Sequence, residues 1–259
     1  METNIDRIVN NLVEKLKKWE TVESIVLVET ASCKSIDPYF FISLDVYYHD
    51  NLPGEKERKL SFSDAGGFES SVIHKKDRYL VEGIPVRIEY KNVSRINEIL
   101  RKKEENLIAF RQTGTYMFYR IEKGKILADR NSWISGVKKE IKNIPPHFWK
   151  LLISTFTATM EHYLSDMGAA SIKNDDLFFL ISYSGFMRSL CSVLFANNKE
   201  FEPSGRMIYE RVKKLPLLPE DFHGRFDSLL RNDPEFPPGR KYEIAELLAK
   251  GIVLINENK

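Results

Sequence analysis

The pattern of apolar and polar positions changes character near residue 130. Before that point, apolar residues recur at helical spacing over residues 4–19, and β-branched and aromatic runs then mark strands at residues 24–29, 40–48 and 84–90. After residue 133 the pattern is of apolar helices separated by proline-bearing loops. The sequence therefore predicts an α+β protein of two domains: an α/β domain with a small mixed sheet over residues 1–130, followed by a helical domain over residues 131–259.

Two shorter segments carry predictions of their own. Residues 51–70 are polar and contain glycine, which indicates a long loop between strands. Residues 115–129, TYMFYRIEKGKILAD, have the pattern of a short β-hairpin with its turn near Lys123 and Gly124.

The strands of the first domain carry two acidic residues in apolar surroundings. In FFISLDVYY, residues 40–48, strand alternation places Ser43 and Asp45 on one face, and Glu89 lies in the strand IPVRIEY. A carboxylate inside a strand is costly to bury unless a partner compensates its charge. Two explanations are open: the acids hold a divalent metal ion, or they are structural acids that pair with Lys75, Lys76 or Arg87 or meet water.

Composition sets broad limits on the function. The chain has 259 residues, of which 42% are hydrophobic and 29% charged, as expected for a globular protein. A net charge of +2 gives no argument for nucleic acid as an obligatory partner. Two cysteines, Cys33 and Cys191, make no disulfide framework or zinc site, and the N-terminus looks like a charged helix and not a signal peptide. We expect a cytoplasmic protein without a membrane partner, and its oligomeric state is unknown.

The layout with SLDVYY and VRIEY resembles the nucleotidyltransferase superfamily of aminoglycoside- and lincosamide-modifying type, in an uncharacterised bacterial branch. In that superfamily a strand ends in a Gly-Ser turn, a second strand carries Asp-x-Asp, and a third carries another acid. The segment SYSGFMRSLCSVLFANNKEFEPSGRMIYERVKKLPLLPEDF resembles the helical part of such proteins. The resemblance covers most of residues 20–230 and rests on the order of its elements more than on any one motif.

The resemblance implies a set of site residues and ligands. Asp45 and Glu89 take the catalytic and Mg²⁺-binding positions, and the substrates would be an NTP and an unknown acceptor. The side chains expected to contact the nucleotide are polar or cationic: Thr30, Ser32, Ser43, Arg78 and Arg188. Arg188 lies among apolar residues, so it is either interfacial or directed into a pocket between the domains.

Departures from the superfamily pattern leave two functions open. Glu29-Thr30 stands where the Gly-Ser turn belongs, and Ser43 stands where the first Asp of Asp-x-Asp belongs. Asp37 or Asp50 could supply the missing acid, although neither has the expected spacing. The first hypothesis is a Mg²⁺-dependent nucleotidyltransferase that moves NMP from an NTP onto a hydroxyl group. The alternative is a catalytically inactive protein of the same fold that binds a nucleotide or a partner.

Overall fold

A computed structural model describes residues 4–28, 41–62, 66–71, 73, 75–105, 107–232 and 236–257. The chain groups into two compact units. The first combines residues 1–102 with 120–144, and the second combines residues 103–119 with 145–259. An α+β architecture with a mixed sheet and a helical C-terminal region confirms the predicted fold class.

The first unit is built on one mixed sheet. Its strands, among the described residues, are β1 (Val22–Leu27), β2 (Ile42–Tyr48), β3 (Gly66–Ser71), β4 (Lys76–Val81), β5 (Ile84–Asn92) and β6 (Lys125–Asp129). They lie in the order β3-β4-β5-β2-β1-β6. β2 and β5 are parallel, whereas the other neighbouring strands are antiparallel.

The helices in the described parts of the chain are α1 (Asn4–Leu16), α2 (Glu55–Ser61), α3 (Val93–Arg101), α4 (Leu107–Thr113), α5 (Tyr116–Lys123), α6 (Trp133–Lys142), α7 (Pro146–Lys173), α8 (Asp176–Asn197), α9 (Ile208–Val212), α10 (Phe222–Leu230) and α11 (Pro238–Glu257). In the second unit, α7 packs along α8 and α11 packs against both. By length and composition α8 is apolar enough to cross a membrane, and half of its most apolar window is buried inside the protein.

The two faces of the sheet differ in chemistry. One face forms the apolar core with α1, and Leu44, Val46 and Ile88 are fully buried there. Ser43 and Asp45 alternate with these residues along β2, so they lie on the other face. Both faces of β2 are buried, and the acidic residue of this strand is therefore inside the protein.

The hairpin predicted over residues 115–129 is wrong. Residues 116–123 form α5, and only residues 125–129 form a strand, which pairs with β1. The helix is explained by Phe118 and Ile121, which are three residues apart and both fully buried. Gly124 follows, and a Cβ atom there would lie 2.3 Å from Cγ1 of Val26, so the turn from helix to strand needs glycine.

The predicted loop over residues 51–70 is only partly a loop, because it contains α2 and most of β3. The first compact unit also runs beyond the predicted domain boundary at residue 130. It reaches Ile144, since β6 completes the sheet beside β1 and α6 follows it.

Candidate functional site

The pairing of β2 with β5 places the two acidic residues side by side. Asp45 is the register partner of Glu89 in the parallel ladder, and Ser43 is the partner of Arg87. Partners in a ladder present their side chains to the same face of the sheet. The polar face therefore carries two carboxylates on adjacent strands.

Asp45 is held by two cations. Arg120 of α5 donates from Nε to Oδ2 of Asp45 at 2.9 Å and from Nη2 to Oδ1, which makes a bidentate pair. Lys91 donates from Nζ to Oδ2 at 2.6 Å. Asp45 is fully buried and Arg120 is 3% exposed, so this ion pair is shielded from water.

Glu89 is surrounded by cations as well, at longer distances. Its carboxylate lies 3.3 Å from Nζ of Lys76, 3.4 Å from Nε of Arg87 and 3.6 Å from Nη2 of Arg120. The Glu89 side chain is 21% exposed. Arg120 thus contacts both carboxylates and occupies the position between them.

These contacts explain the ionisation of the pair. Burial by itself would raise the pKa of Asp45, but the charges and hydrogen bonds of Lys91 and Arg120 outweigh burial and hold its pKa below the ordinary value. The pKa of Glu89 is also lowered: burial and the charge of Asp45 raise it, and Arg120, Lys91 and Lys76 offset them. Both groups are therefore carboxylates at neutral pH.

Ser43 contributes a hydroxyl acceptor to the same cluster. Its Oγ accepts from Nη2 of Arg87 at 3.2 Å and from Nη2 of Arg120 at 3.4 Å. Ser43 is fully buried. Where the resemblance would place the first Asp of Asp-x-Asp, this chain has a neutral hydroxyl that accepts from two guanidinium groups.

The described residues do not fit a divalent metal ion. Mg²⁺ prefers carboxylate oxygens with open coordination positions, and both oxygens of Asp45 already accept from Arg120 and Lys91. The described parts of the chain contain no group of three or more His, Cys, Asp or Glu side chains arranged to hold a metal. Four cationic side chains, Lys76, Arg87, Lys91 and Arg120, surround two carboxylates, so the cluster repels an additional dication.

The same unit buries another aspartate in a similar way. Asp77, on the apolar face, is fully buried and accepts from Nε of Arg58 at 2.7 Å and from the Tyr90 hydroxyl at 2.8 Å. Ion pairing of buried acids is thus repeated in this sheet.

The remaining predicted nucleotide-binding residues are Thr30, Ser32, Arg78 and Arg188. Thr30 and Ser32 lie outside the described residues, as does Asp37. Arg78 is largely exposed on β4, with Glu69 at 3.6 Å, and Asp50 is exposed beyond β2. Arg188 belongs to the helical unit, where its guanidinium donates to the carbonyl oxygen of Gln112.

Two residues of the cluster were missed by sequence reasoning. Lys91 lies two positions after Glu89, so strand alternation already places it on the same face. Arg120 carried no such signal, because its segment has the pattern of a hairpin and its position on α5 depends on the helix that replaces it.

Comparison with known proteins supports the fold. The chain is similar to the crystal structure of a nucleotidyltransferase-like protein from Exiguobacterium sibiricum 255-15, with a TM-score of 0.51 and 14% sequence identity over 99% of this chain and 76% of that one. No family model matches the sequence, and no curated protein matches it either. These findings show a nucleotidyltransferase-like fold.

Proposed function

We propose that this chain is a catalytically inactive protein of the nucleotidyltransferase-like fold, which binds a nucleotide or a partner without transferring a nucleotidyl group. The observation that supports this most strongly is the bidentate pair of Arg120 with Asp45. A guanidinium group placed between the two acids neutralises them as a metal ion would, but it offers no open coordination position to a triphosphate.

The energetics of the pair favour a permanent structural role. Removing Arg120 and Lys91 from Asp45 would leave a carboxylate buried and uncompensated, at a cost of about 3–5 kcal/mol. A metal ion would have to displace both cations and pay for its own dehydration. Asp45 and Glu89 therefore lie side by side, as the superfamily pattern expects, but Arg120 binds them in place of a metal ion.

A Mg²⁺-dependent nucleotidyltransferase is the second candidate function. The side-by-side placement of Asp45 and Glu89 on parallel strands is the observation that favours it. In that case Asp45 is essential for transfer, because it is the acid that would hold the ion.

A pyrophosphate-release assay separates these two functions, since nucleotidyl transfer from an NTP to any acceptor, water included, releases pyrophosphate. The wild-type chain and Asp45→Asn are incubated with each NTP, Mg²⁺ and a mixture of small-molecule hydroxyl acceptors. We expect the same background release from both. Release by the wild type that Asp45→Asn abolishes, with the variant still folded by circular dichroism, would establish the enzyme and contradict the proposal.

Ser43→Asp sharpens the same test by adding the acid that the superfamily pattern expects. Arg87 and Arg120 both contact the Ser43 hydroxyl, so we expect the new carboxylate to bind these two guanidinium groups. Pyrophosphate release should stay at background. The appearance of release in Ser43→Asp would mean that the site lacks only one acid and that Arg120 can leave it.

A further inference from the structure

The helical unit contains a pocket of its own, with a volume of about 810 Å³. It is formed by residues of α4, α7 and α8, all of which belong to the second compact unit. A volume of this size accommodates a small organic molecule and not only a single ion. The Asp45 cluster belongs to the first unit.

The basic side chains that line the pocket are two arginines and a histidine. Arg111 comes from α4, Arg188 from α8 and His162 from α7, and no Asp or Glu is among the lining residues. His162 has an acidic neighbour on its own helix: Oδ2 of Asp166 lies 3.5 Å from its Nε2, one helical turn along α7. Both arginines are exposed, so their guanidinium groups are accessible from solvent.

Contacts within the unit fix where Arg188 lies. Its guanidinium donates to the carbonyl oxygen of Gln112 on α4, which ties the α8 arginine to the helix that carries Arg111. Two guanidinium groups on neighbouring helices can converge on one oxyanion, because each presents several donors in a planar fork.

Hydroxyl groups also line the pocket. Ser189 is 6% exposed and is one of the lining residues. Its hydroxyl can donate a hydrogen bond to a bound oxyanion. Ser184, exposed one turn earlier on α8, adds another hydroxyl to the lining.

Aromatic side chains also line the pocket, and one of them packs closely against α8. A Cβ atom at Gly185 would lie 2.4 Å from Cε1 of Tyr163, so glycine is needed for the tyrosine ring to lie against α8. Tyr163 and Phe156 both line the pocket and give it an apolar surface for an organic group.

Glu202 is the acid that lies behind this lining. It is buried, and its Oε2 accepts from the hydroxyl of Ser192, which is itself a lining residue. Burial raises the pKa of Glu202, and its hydrogen bonds and the charge of Arg188 only partly offset that effect.

We propose that this pocket binds a phosphorylated small molecule, with its phosphate on Arg111 and Arg188, a hydrogen bond from Ser189, and its organic group against Tyr163 and Phe156. The proposal goes beyond the proposed function, because it concerns the helical unit alone and holds whether or not the first unit is catalytic. Its ligand class follows from the two guanidinium groups and the aromatic side chains of the lining.

Phenyl phosphate is the probe, since it combines a phosphate with an aromatic ring; phenol and inorganic phosphate are its two halves. Binding is followed by calorimetry and by amide chemical shifts at millimolar probe. We expect saturable binding of phenyl phosphate, weaker binding of inorganic phosphate and none of phenol. Arg188→Met and Arg111→Met should each weaken phenyl phosphate about tenfold, the usual effect of losing a charge-assisted hydrogen bond.

Lys150→Met is the matched control, because Lys150 is an exposed cation of α7 that does not line this pocket. Lys150→Met should leave the binding of phenyl phosphate unchanged. Ser189→Ala should weaken this binding by a smaller factor than either arginine variant. Three results would each overturn the proposal: no saturable binding of phenyl phosphate, equal binding by the wild type and folded arginine variants, or equal weakening by Lys150→Met. None of them bears on the pyrophosphate assay, which reports on Asp45.

Discussion

Two buried carboxylates, one in each compact unit, have opposite kinds of partner. Asp45 in the sheet unit is fully buried and Glu202 in the helical unit is 5% exposed, so burial differs little between them. Asp45 is bound by two cations, whereas the hydrogen bonds to the Glu202 carboxylate come from neutral groups: the hydroxyl of Ser192 and the backbone N–H of Thr115.

The pKa values of the two acids follow their partners. The pKa of Asp45 is lowered although burial opposes it, while the pKa of Glu202 is raised by burial, which its hydrogen bonds and the charge of Arg188 only partly offset. The comparison teaches that burial of an acid does not identify a functional site by itself. The partners decide whether the effect of burial is outweighed, so that the pKa is lowered, or only partly offset, so that the pKa is raised.

The strongest way to break the comparison is to neutralise each acid in turn. Asp45→Asn leaves Arg120 and Lys91 without their shared counter-charge, so we expect a loss of about 3–5 kcal/mol in the free energy of unfolding. Glu202→Gln keeps the hydrogen-bonding shape and removes no ion pair of comparable strength, so we expect a change of about 1 kcal/mol or less at neutral pH. Denaturant unfolding of both variants measures the difference; an unchanged or raised stability of Asp45→Asn would mean that Asp45 is not structural.

Arg120→Met should come next in size. It removes the bidentate partner of Asp45 but leaves Lys91, so we expect a loss near the lower end of the same range, about 3 kcal/mol. The double variant Asp45→Asn/Arg120→Met should lose less than the sum of the two single losses, because the residues share one interaction. Strictly additive losses in the same unfolding experiment would show that the two side chains are not coupled.

Gly114→Ala sharpens the comparison on the Glu202 side. Gly114 has φ of +66°, and a Cβ atom there would lie 2.8 Å from Oε2 of Glu202. The left-handed conformation alone costs about 1–2 kcal/mol for a non-glycine residue, and the contact adds to it. Gly136→Ala on α6 is the control, since its Cβ atom would meet nothing within 4 Å; we expect it to be neutral or to stabilise by up to about 1 kcal/mol. Equal thermal shifts for the two variants would contradict this account of Gly114.

The smallest effect is the pH dependence of stability, where the two acids should have opposite signs. The folded pKa of Asp45 lies below its ordinary value of 3.8, so its contribution is present above that pH and is lost as the pH falls through the folded pKa. The folded pKa of Glu202 lies above its ordinary value of 4.5, so its contribution is present below that pH and is lost as the pH rises through the folded pKa.

Each acid changes the slope of stability against pH by at most about 1.4 kcal/mol per pH unit. Subtracting the pH profiles of Asp45→Asn and Glu202→Gln from the wild-type profile isolates the two contributions. If the contributions of Asp45 and Glu202 to stability changed with pH in the same direction, the hydrogen-bonding and charged partners of these acids would not be what sets their pKa values.

Much of the sheet could be predicted from the sequence, because its signals are local. Alternation in residues 42–48 correctly separated Leu44 and Val46 from Ser43 and Asp45. The segment that carries Arg120 could not be assigned in the same way. Its apolar residues fit both a hairpin and a helix, and the structure forms the helix, in which residues 118–121 are all buried.

The partners of the acids were harder to predict than the acids themselves. The parallel register that sets Asp45 beside Glu89 is a long-range property, as is the approach of α5 to the polar face. Lys76 and Arg87 were named among the possible partners, and they lie near Glu89; Asp45 is bound instead by Lys91 and Arg120. A motif comparison shows which acids are present, but it does not show which cations already bind them.

The most direct test of the central claim is a Mn²⁺ titration of the wild-type chain at neutral pH, followed by electron paramagnetic resonance of the free ion, with Asp45→Asn titrated in parallel. Because Arg120 and Lys91 occupy both oxygens of Asp45, the account predicts no stoichiometric Mn²⁺ site and identical titrations for the two proteins. Binding of one or more Mn²⁺ ions per wild-type chain, lost in a folded Asp45→Asn variant, would contradict it.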